Sequence, residues 1–384
     1  MKSKLLGHSA NDLFWFIIPL ILPTLLIRYD LNFTQAGGIL TTYLVVLAIC
    51  SFAIGKLSDL FSRRTILSYG FFLASLGLSA SAFAPSLSVF LILISITAVG
   101  VSTFHPVMYA VIDDHSTKNK GQQMGLYEGF GTGAILLMFL INGFLLNWIG
   151  VRGILILTAL PALAMGLVYQ FGSSIPEHKH NPQDESEKKS ADKGSVFRFS
   201  ILLLSVIFRV FSVTGVLNFL PTIFVSFLGY ERSTASYATA FFFAGGLVGS
   251  LTAGKLADRF NSFMILIVGT LFIIPSLMFF SIDLPGWVYL VAVSFFGFFG
   301  SACIINQNLL IGSMGSHLGK GEVFGIMMGV MTITASLSPA LFGLLIDTAG
   351  FRPALAIFLI PLVLSVFLLF LLNSQERTKK ELPV

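Results

Sequence analysis

Apolar residues run through this chain in long blocks between Phe14 and Leu372, interrupted at near-regular intervals by glycine, proline and small groups of charge. Each block approaches the roughly 20 helical residues that cross a ~30 Å hydrocarbon core at 1.5 Å per residue. A membrane β-barrel would instead alternate apolar and polar positions over about ten residues, and runs such as Ile201 to Phe208 do not alternate. The pattern predicts helices at 8–28, 34–55, 65–84, 87–111, 121–147 and 151–171, then at 200–228, 233–254, 263–281, 286–311, 321–346 and 351–372. The polar stretch between the two sets of six, 173–199, carries His178, Lys179, His180, Glu185, Glu187, Lys188, Lys189 and Lys193. It has too few apolar residues to build a core and reads as a flexible linker. The expected fold is therefore all-α and membrane-integral, with twelve transmembrane helices. It divides into a six-helix bundle over 1–172, the linker, a second bundle over 200–376 and a tail over 377–384.

The two sets of six repeat each other. Gly55-Lys56-Leu57-Ser58-Asp59-Leu60-Phe61 returns 199 residues later as Gly254-Lys255-Leu256-Ala257-Asp258-Arg259-Phe260. Leu22-Pro23-Thr24 returns as Leu220-Pro221-Thr222, and Gly121, Gly125, Gly143, Gly150 and Arg152 return as Gly321, Gly325, Gly343, Gly350 and Arg352. Six-helix halves related in this way are parallel repeats, whose interface near the bilayer midplane is where such folds hold substrate. Duplication establishes a fold, not an activity.

Charge and composition refine the picture. Residues are 55% hydrophobic and 11% charged, with a mean hydropathy of +0.88, against roughly 25% charge in a soluble domain. Of 23 Lys and Arg, 18 fall at the N-terminus, the even-to-odd loops, the linker and the tail. Only Arg28, Arg152, Arg232 and Arg352 fall in the opposite loops, and Arg209 lies inside helix 7. The positive-inside rule then places both termini in the cytoplasm of an inner-membrane protein. The same bias accounts for the net charge of +5 without a nucleic-acid partner. Lys2 and Lys4 precede an apolar stretch, but Asp12 interrupts it and no small-residue cleavage site follows Ile27, so this segment reads as helix 1 rather than a signal peptide. Cys50 and Cys303 sit in apolar runs and suggest neither disulfides nor a metal centre.

The paired G-K-L-x-D segments, with Arg63 and Arg64 after the first, resemble the signature loop of the major facilitator superfamily. Gly7-His8 with Asn11-Asp12, and Phe104-His105-Pro106, further resemble the fosmidomycin resistance protein branch of drug efflux permeases. The resemblance implies a latch between the halves, formed by Gly55, Asp59, Arg63 and Arg64 in one copy and Gly254, Asp258 and Arg259 in the other. Leu60 and Ser62 depart from the usual Arg and Gly, and Asn261 to Phe263 lack the basic pair, so the second latch is expected to be weaker. Elementary chemistry lets Asp59 face a helix N-terminus and lets Arg63 and Arg64 pair with Asp59 or with lipid phosphate.

The remaining candidates are polar groups within apolar blocks. Phe14 to Ile27 spans 14 residues, about 21 Å, too short for the ~30 Å core. Helix 1 must extend past Asp12 and Asn11, which makes Asp12 either a proton-coupling carboxylate or an interfacial cap. Glu128 in helix 5 is a second candidate for proton exchange, or else a structural partner of Arg209. Arg209 cannot shed its proton and must bind an anionic substrate or lock the halves through Glu128. His105 and Tyr109 share a face of helix 4, with Pro106 loosening it; they line a cavity, or His105 is a satisfied core residue. Asn11 and Trp15 in helix 1, Asn218 in helix 7, and Asn306 and Gln307 in helix 10 complete the set of expected substrate contacts.

These readings lead to a monomeric secondary transporter, with protons, lipid and a small organic or amphipathic solute or drug, an anion among the options, as partners and no cofactor. Efflux is the leading direction, although helix 5 lacks the Gly-Pro pair common in efflux members; uptake or uniport stays open, as does a receptor that moves nothing. No nucleotide-phosphate loop, zinc motif or nucleophile elbow occurs, which argues against an enzyme or a primary pump.

Overall fold

The computed structural model describes residues 2–57, 61–113, 120–172, 193–257, 259–314 and 320–381. Among them the chain is helical, with no strand. In order the helices are α1 Lys2–Tyr29, α2 Phe33–Leu57, α3 Arg63–Ser81, α4 Leu87–Val101, α5 Phe104–Asp113, α6 Lys120–Leu167, α7 Lys193–Ser226, α8 Arg232–Ala257, α9 Ser262–Met278, α10 Gly286–Met314, α11 Lys320–Ala349 and α12 Phe351–Glu381. Ten helical segments are long and apolar enough to span a bilayer.

Among the described residues these ten segments make eleven crossings, and α3 adds a twelfth. At 48 residues, α6 would be about 72 Å long if straight, yet it leaves helical geometry at Gly150 (φ 59°, ψ −177°). Its first arm packs Gly125 against α8 near Gly254, while its second arm ends beside Arg64 at the start of α3. Both ends therefore lie on one face of the bundle, and α6 crosses twice. In contrast, α4 and α5 form one crossing broken at Ser102 and Thr103. Pro106 causes the break: it has no N–H, and its ring would clash with the Ser102 carbonyl in a continuous helix. The hydroxyls of Ser102 and Thr103 instead bond Val99 O and Gly100 O at 2.7 and 2.8 Å, and Ser51 Oγ donates to Ser102 O at 3.4 Å. The twelfth crossing is α3, sparer in apolar residues and packed between α4 and α6.

Three boundaries differ by more than five residues from the hydropathy pattern, the first being α1, which begins at Lys2 rather than at 8. The helix expected from 200 begins at Lys193, because Phe199 is already buried and anchors a further turn. The expected tail from 377 is largely helix, since α12 continues to Glu381 through good helix formers.

The halves meet along two seams, α2 with α11 and α6 with α8. Small residues bring the backbones together. A Cβ on Gly37 would lie 2.3 Å from Pro339 O, and one on Gly343 would lie 2.1 Å from Phe33 O. Along α6 and α8 the same closeness runs from Gly125, against Ser250 O, to Gly143, against the Tyr237 ring. On the face opposite the termini, Asp347 of α11 caps the start of α2. It accepts from Phe33 N at 3.2 Å, Thr34 N at 2.7 Å and Thr34 Oγ1 at 2.6 Å. A carboxylate at a helix N-terminus meets unpaired N–H groups and the positive end of the dipole, here supplied from the other half of the molecule. Beside it, Phe33 stacks on Phe227 and Phe227 on Phe351.

Candidate functional site

In the first half, polar side chains from α1, α5 and α6 converge. His8 and Asp12 stand one turn apart on α1, inside the apolar span Ser3–Tyr29, with His8 Nε2 3.2 Å from Asp12 Oδ2. The break before α5 sets His105 in its first turn, where Nε2 lies 3.5 Å from Asp12 Oδ1. The other ring nitrogen of His8 is 3.0 Å from the Tyr127 carbonyl, which accepts only, so Nδ1 carries the proton and donates. The Tyr127 ring lies flat on His8 at 3.8 Å between centroids, and Trp15 meets His105 edge-on at 5.8 Å. His8 is 1% exposed and Asp12 14%, so the carboxylate gains little from solvent. Gly131 makes the room: a Cβ there would sit 2.1 Å from Asp12 Oδ2 and 2.8 Å from His8 Cε1. Asn11 is buried beside Asp12, and Glu128, half-buried, lies one turn before Gly131 on α6.

In the second half, Arg209 of α7 is 4% exposed and donates to Gln307 Oε1 of α10. Gln307 in turn contacts Met331 Sδ at 3.0 Å and Asn308 Oδ1 at 3.5 Å. Among the described residues no carboxylate is paired with Arg209; of the two alternatives for this side chain, the pairing with Glu128 is not formed in this state, and its partner is Gln307. Asn306 and Asn218 bond back to their own helices, through Ala302 O at 2.9 Å and Thr214 O at 2.8 Å. That leaves the side-chain oxygen of each for another partner.

The expected latch is only partly in view. Arg64 does not face lipid phosphate: it donates to Tyr169 O at 2.7 Å and to Gln170 O, the carbonyls of a π-helical turn, Val168–Gly172, at the end of α6. Cations suit a helix C-terminus because the last carbonyls are unpaired. Arg63 is 2% exposed, which also removes it from lipid. Gly254 lies on the seam between the halves, 3.4 Å from a Cβ placed on Gly125, and Arg259 is exposed. Asp59 and Asp258, the surroundings of Gly55 and the side chain of Tyr109 fall outside what the structure describes.

His8 was not among the side chains singled out from sequence as substrate or proton contacts. Its signal was present: a histidine and an aspartate four apart in the first membrane helix share a face. Gly131 carried no such signal, since its role depends on α6 packing against α1.

The fold belongs to a known lineage. The model of the Major Facilitator Superfamily matches residues 5–318 and again 202–384, in keeping with the internal repeat. An uncharacterized MFS-type transporter of Bacillus subtilis (strain 168), YfnC, is 26% identical over 385 residues, covering 97% of this chain and 92% of its own. A putative metabolite transport protein of Haemophilus influenzae is 22% identical over 373 residues, covering 89% of both chains. Among solved structures, a D-xylose-proton symporter superposes with a TM-score of 0.78 at 17% identity, covering 96% of this chain and 95% of its own. A bacterial homolog of the human lysosomal transporter Spinster, inward-facing and occupied, gives 0.77 at 16%, covering 97% and 96%. Twelve crossings in two repeated halves, matched over nearly the whole chain, place this protein in the major facilitator superfamily, and it is a membrane carrier rather than an enzyme.

Proposed function

We propose that this carrier is proton-coupled, with His8, Asp12 and His105 holding the coupling proton and Arg209 with Gln307 holding an anionic group of the substrate. The contact between His8 Nε2 and Asp12 Oδ2 at 3.2 Å carries the reading. With Nδ1 committed to Tyr127 O, a neutral His8 would oppose its lone pair to a carboxylate. A proton between them removes that repulsion and reduces the cost of a charge within the membrane. Movement of α1 against Gly131 during the transport cycle would loosen the cluster and release the proton. Glu128, one turn away, is the relay toward the face bearing the termini. Arg209 stays charged throughout, and a small organic anion would satisfy it bidentately.

The protein acts in the inner membrane with both termini cytoplasmic, supported by 18 basic residues on that side against four on the other. Efflux is the direction we favour, from the resemblance of Gly7-His8, Asn11-Asp12 and Phe104-His105-Pro106 to drug efflux permeases. Uptake is the second reading, favoured by an α6 that lacks the Gly-Pro pair after Gly133. Proteins of the same fold are described as a human organic anion transporter and as a D-xylose-proton symporter, so both kinds of partner fit the architecture.

Proteoliposome counterflow with a panel of organic anions under an imposed pH gradient tests the proposal. The expected result is gradient-driven flux that Asp12→Asn abolishes while exchange of labelled for unlabelled substrate persists. Flux indifferent to the gradient would remove the proton from the mechanism, and driven flux intact in Asp12→Asn would remove this cluster.

A further inference from the structure

We infer that His8, Asp12 and His105 also form a binding site for one divalent transition-metal ion of the zinc class, at the position the proton would occupy. One ligand atom from each residue lies within 4.8 Å of the others, drawn from two imidazoles and a carboxylate, the donors that borderline ions such as Zn²⁺ and Co²⁺ prefer. The 3.2 and 3.5 Å separations between each imidazole Nε2 and Asp12 bracket the spacing of about 3.3 Å that a tetrahedral ion with bonds of 2.0–2.1 Å sets between its ligands. At 3.5 Å the His105 contact is longer than a good hydrogen bond, which suits an ion seated between the groups.

The surroundings match what such a site needs beyond its ligands. The Nδ1–H of His8 donates to a backbone carbonyl, Tyr127 O, which fixes the tautomer with its Nε2 lone pair turned toward Asp12, the arrangement that orients histidine ligands. Tyr127 stacks on one face of that ring, Trp15 packs against His105, and Gly131, lacking a Cβ, lets the Asp12 carboxylate sit against α6 beside His8. Three protein ligands leave a fourth position for water or for a donor on the substrate. Because both imidazoles must be neutral to bind, the ion and the proton compete, and a bound ion holds α1 against α5. The site rests on the same cluster as the proton reading but not on coupling itself.

The test uses the full chain, without a histidine tag, in detergent. The protein has three tryptophans, of which Trp148 and Trp287 are 78% and 67% exposed, so Trp148→Phe with Trp287→Phe leaves Trp15 as the reporter. Titration with Co²⁺ should quench Trp15 saturably at one ion per chain, give the visible absorption of tetrahedral cobalt, and be reversed by Zn²⁺. Affinity should rise with pH through the imidazole range of about 5 to 8. Asp12→Asn and His105→Gln should each weaken binding at least tenfold in protein that remains monodisperse, whereas His178→Ala with His180→Ala should leave it unchanged. Should Asp12→Asn not fold, His105→Gln decides alone. Absence of saturable quenching, or binding that survives these substitutions, or binding lost with His178 and His180, overturns the inference. Stoichiometric metal binding with no gradient-driven flux would instead overturn proton coupling and leave the metal site standing.

Discussion

At the scale of single residues, the first half depends on a side chain that is missing. Gly131→Ala would place a methyl group 2.1 Å from Asp12 Oδ2, so the carboxylate must turn away from His8. Alanine keeps α6 helical, and gradient-driven flux should fall at least tenfold, about 1.4 kcal/mol in the barrier, while the melting temperature in detergent stays near that of the native chain. Unchanged flux would show that the fit is incidental. In the second half, Arg209→Lys retains charge but loses the planar fork. The KM for an anionic substrate should rise about tenfold, with less change for a neutral analogue; equal effects on both would take Arg209 out of anion contact. Asp12, His105, Arg209 and Gln307 were legible in the sequence because a polar group in an apolar block is costly unless it has a task. The distribution of partners was not legible. That His105 belongs with Asp12, and Arg209 with Gln307 rather than Glu128, depends on which helices pack together.

At the scale of elements, the duplicated glycines have a common backbone cause. Gly150 and Gly350 both have positive φ, 59° and 89°, each at the turn between the last two crossings of its half and two residues before an arginine. A residue with a Cβ is strained there by about 1–3 kcal/mol, so Gly150→Ala and Gly350→Ala should each lower the melting temperature, and Gly38→Ala, with open space around it, should not. The broken fourth crossing was half-legible: Pro106 announced a weakened helix, but the two-residue gap at Ser102 and Thr103 emerges only with the hydroxyl bonds that stabilise it. The cap that Asp347 places on α2 was invisible, because its partners are 313 and 314 positions away. Removing it with Asp347→Ala should cost about 1 kcal/mol of closure, roughly a fivefold shift toward the state open on that face. A Phe227→Cys reporter, which removes the aromatic stack from both proteins, should then react faster with an impermeant maleimide when Asp347 is replaced; an unchanged rate would mean that the cap does not hold the seam.

At the scale of the whole molecule, the two halves are equal in architecture and unequal in chemistry. The repeat and the apolar blocks made the twelve crossings readable, since bilayer thickness and hydrogen-bond satisfaction leave few alternatives. They could not reveal that one half gathers an acid between two imidazoles while the other buries a guanidinium bonded to an amide, Gln307. A carrier driven by an ion gradient must also avoid dissipating it. The contact of α6 with α8 runs from Gly125, on the backbone of Ser250, through Gly129 on the Leu251 and Leu247 side chains to Gly143 on the Tyr237 ring, and this close fit leaves little room for a file of water between the halves. Its worth is then electrical: a chain of water there would conduct protons and discharge the membrane whether or not substrate was present. If the seam seals the halves against protons, Gly125→Leu, which forces a branched side chain against Ser250 O, should make liposomes acidify in the absence of any solute; unchanged liposome pH would take the seam out of that role.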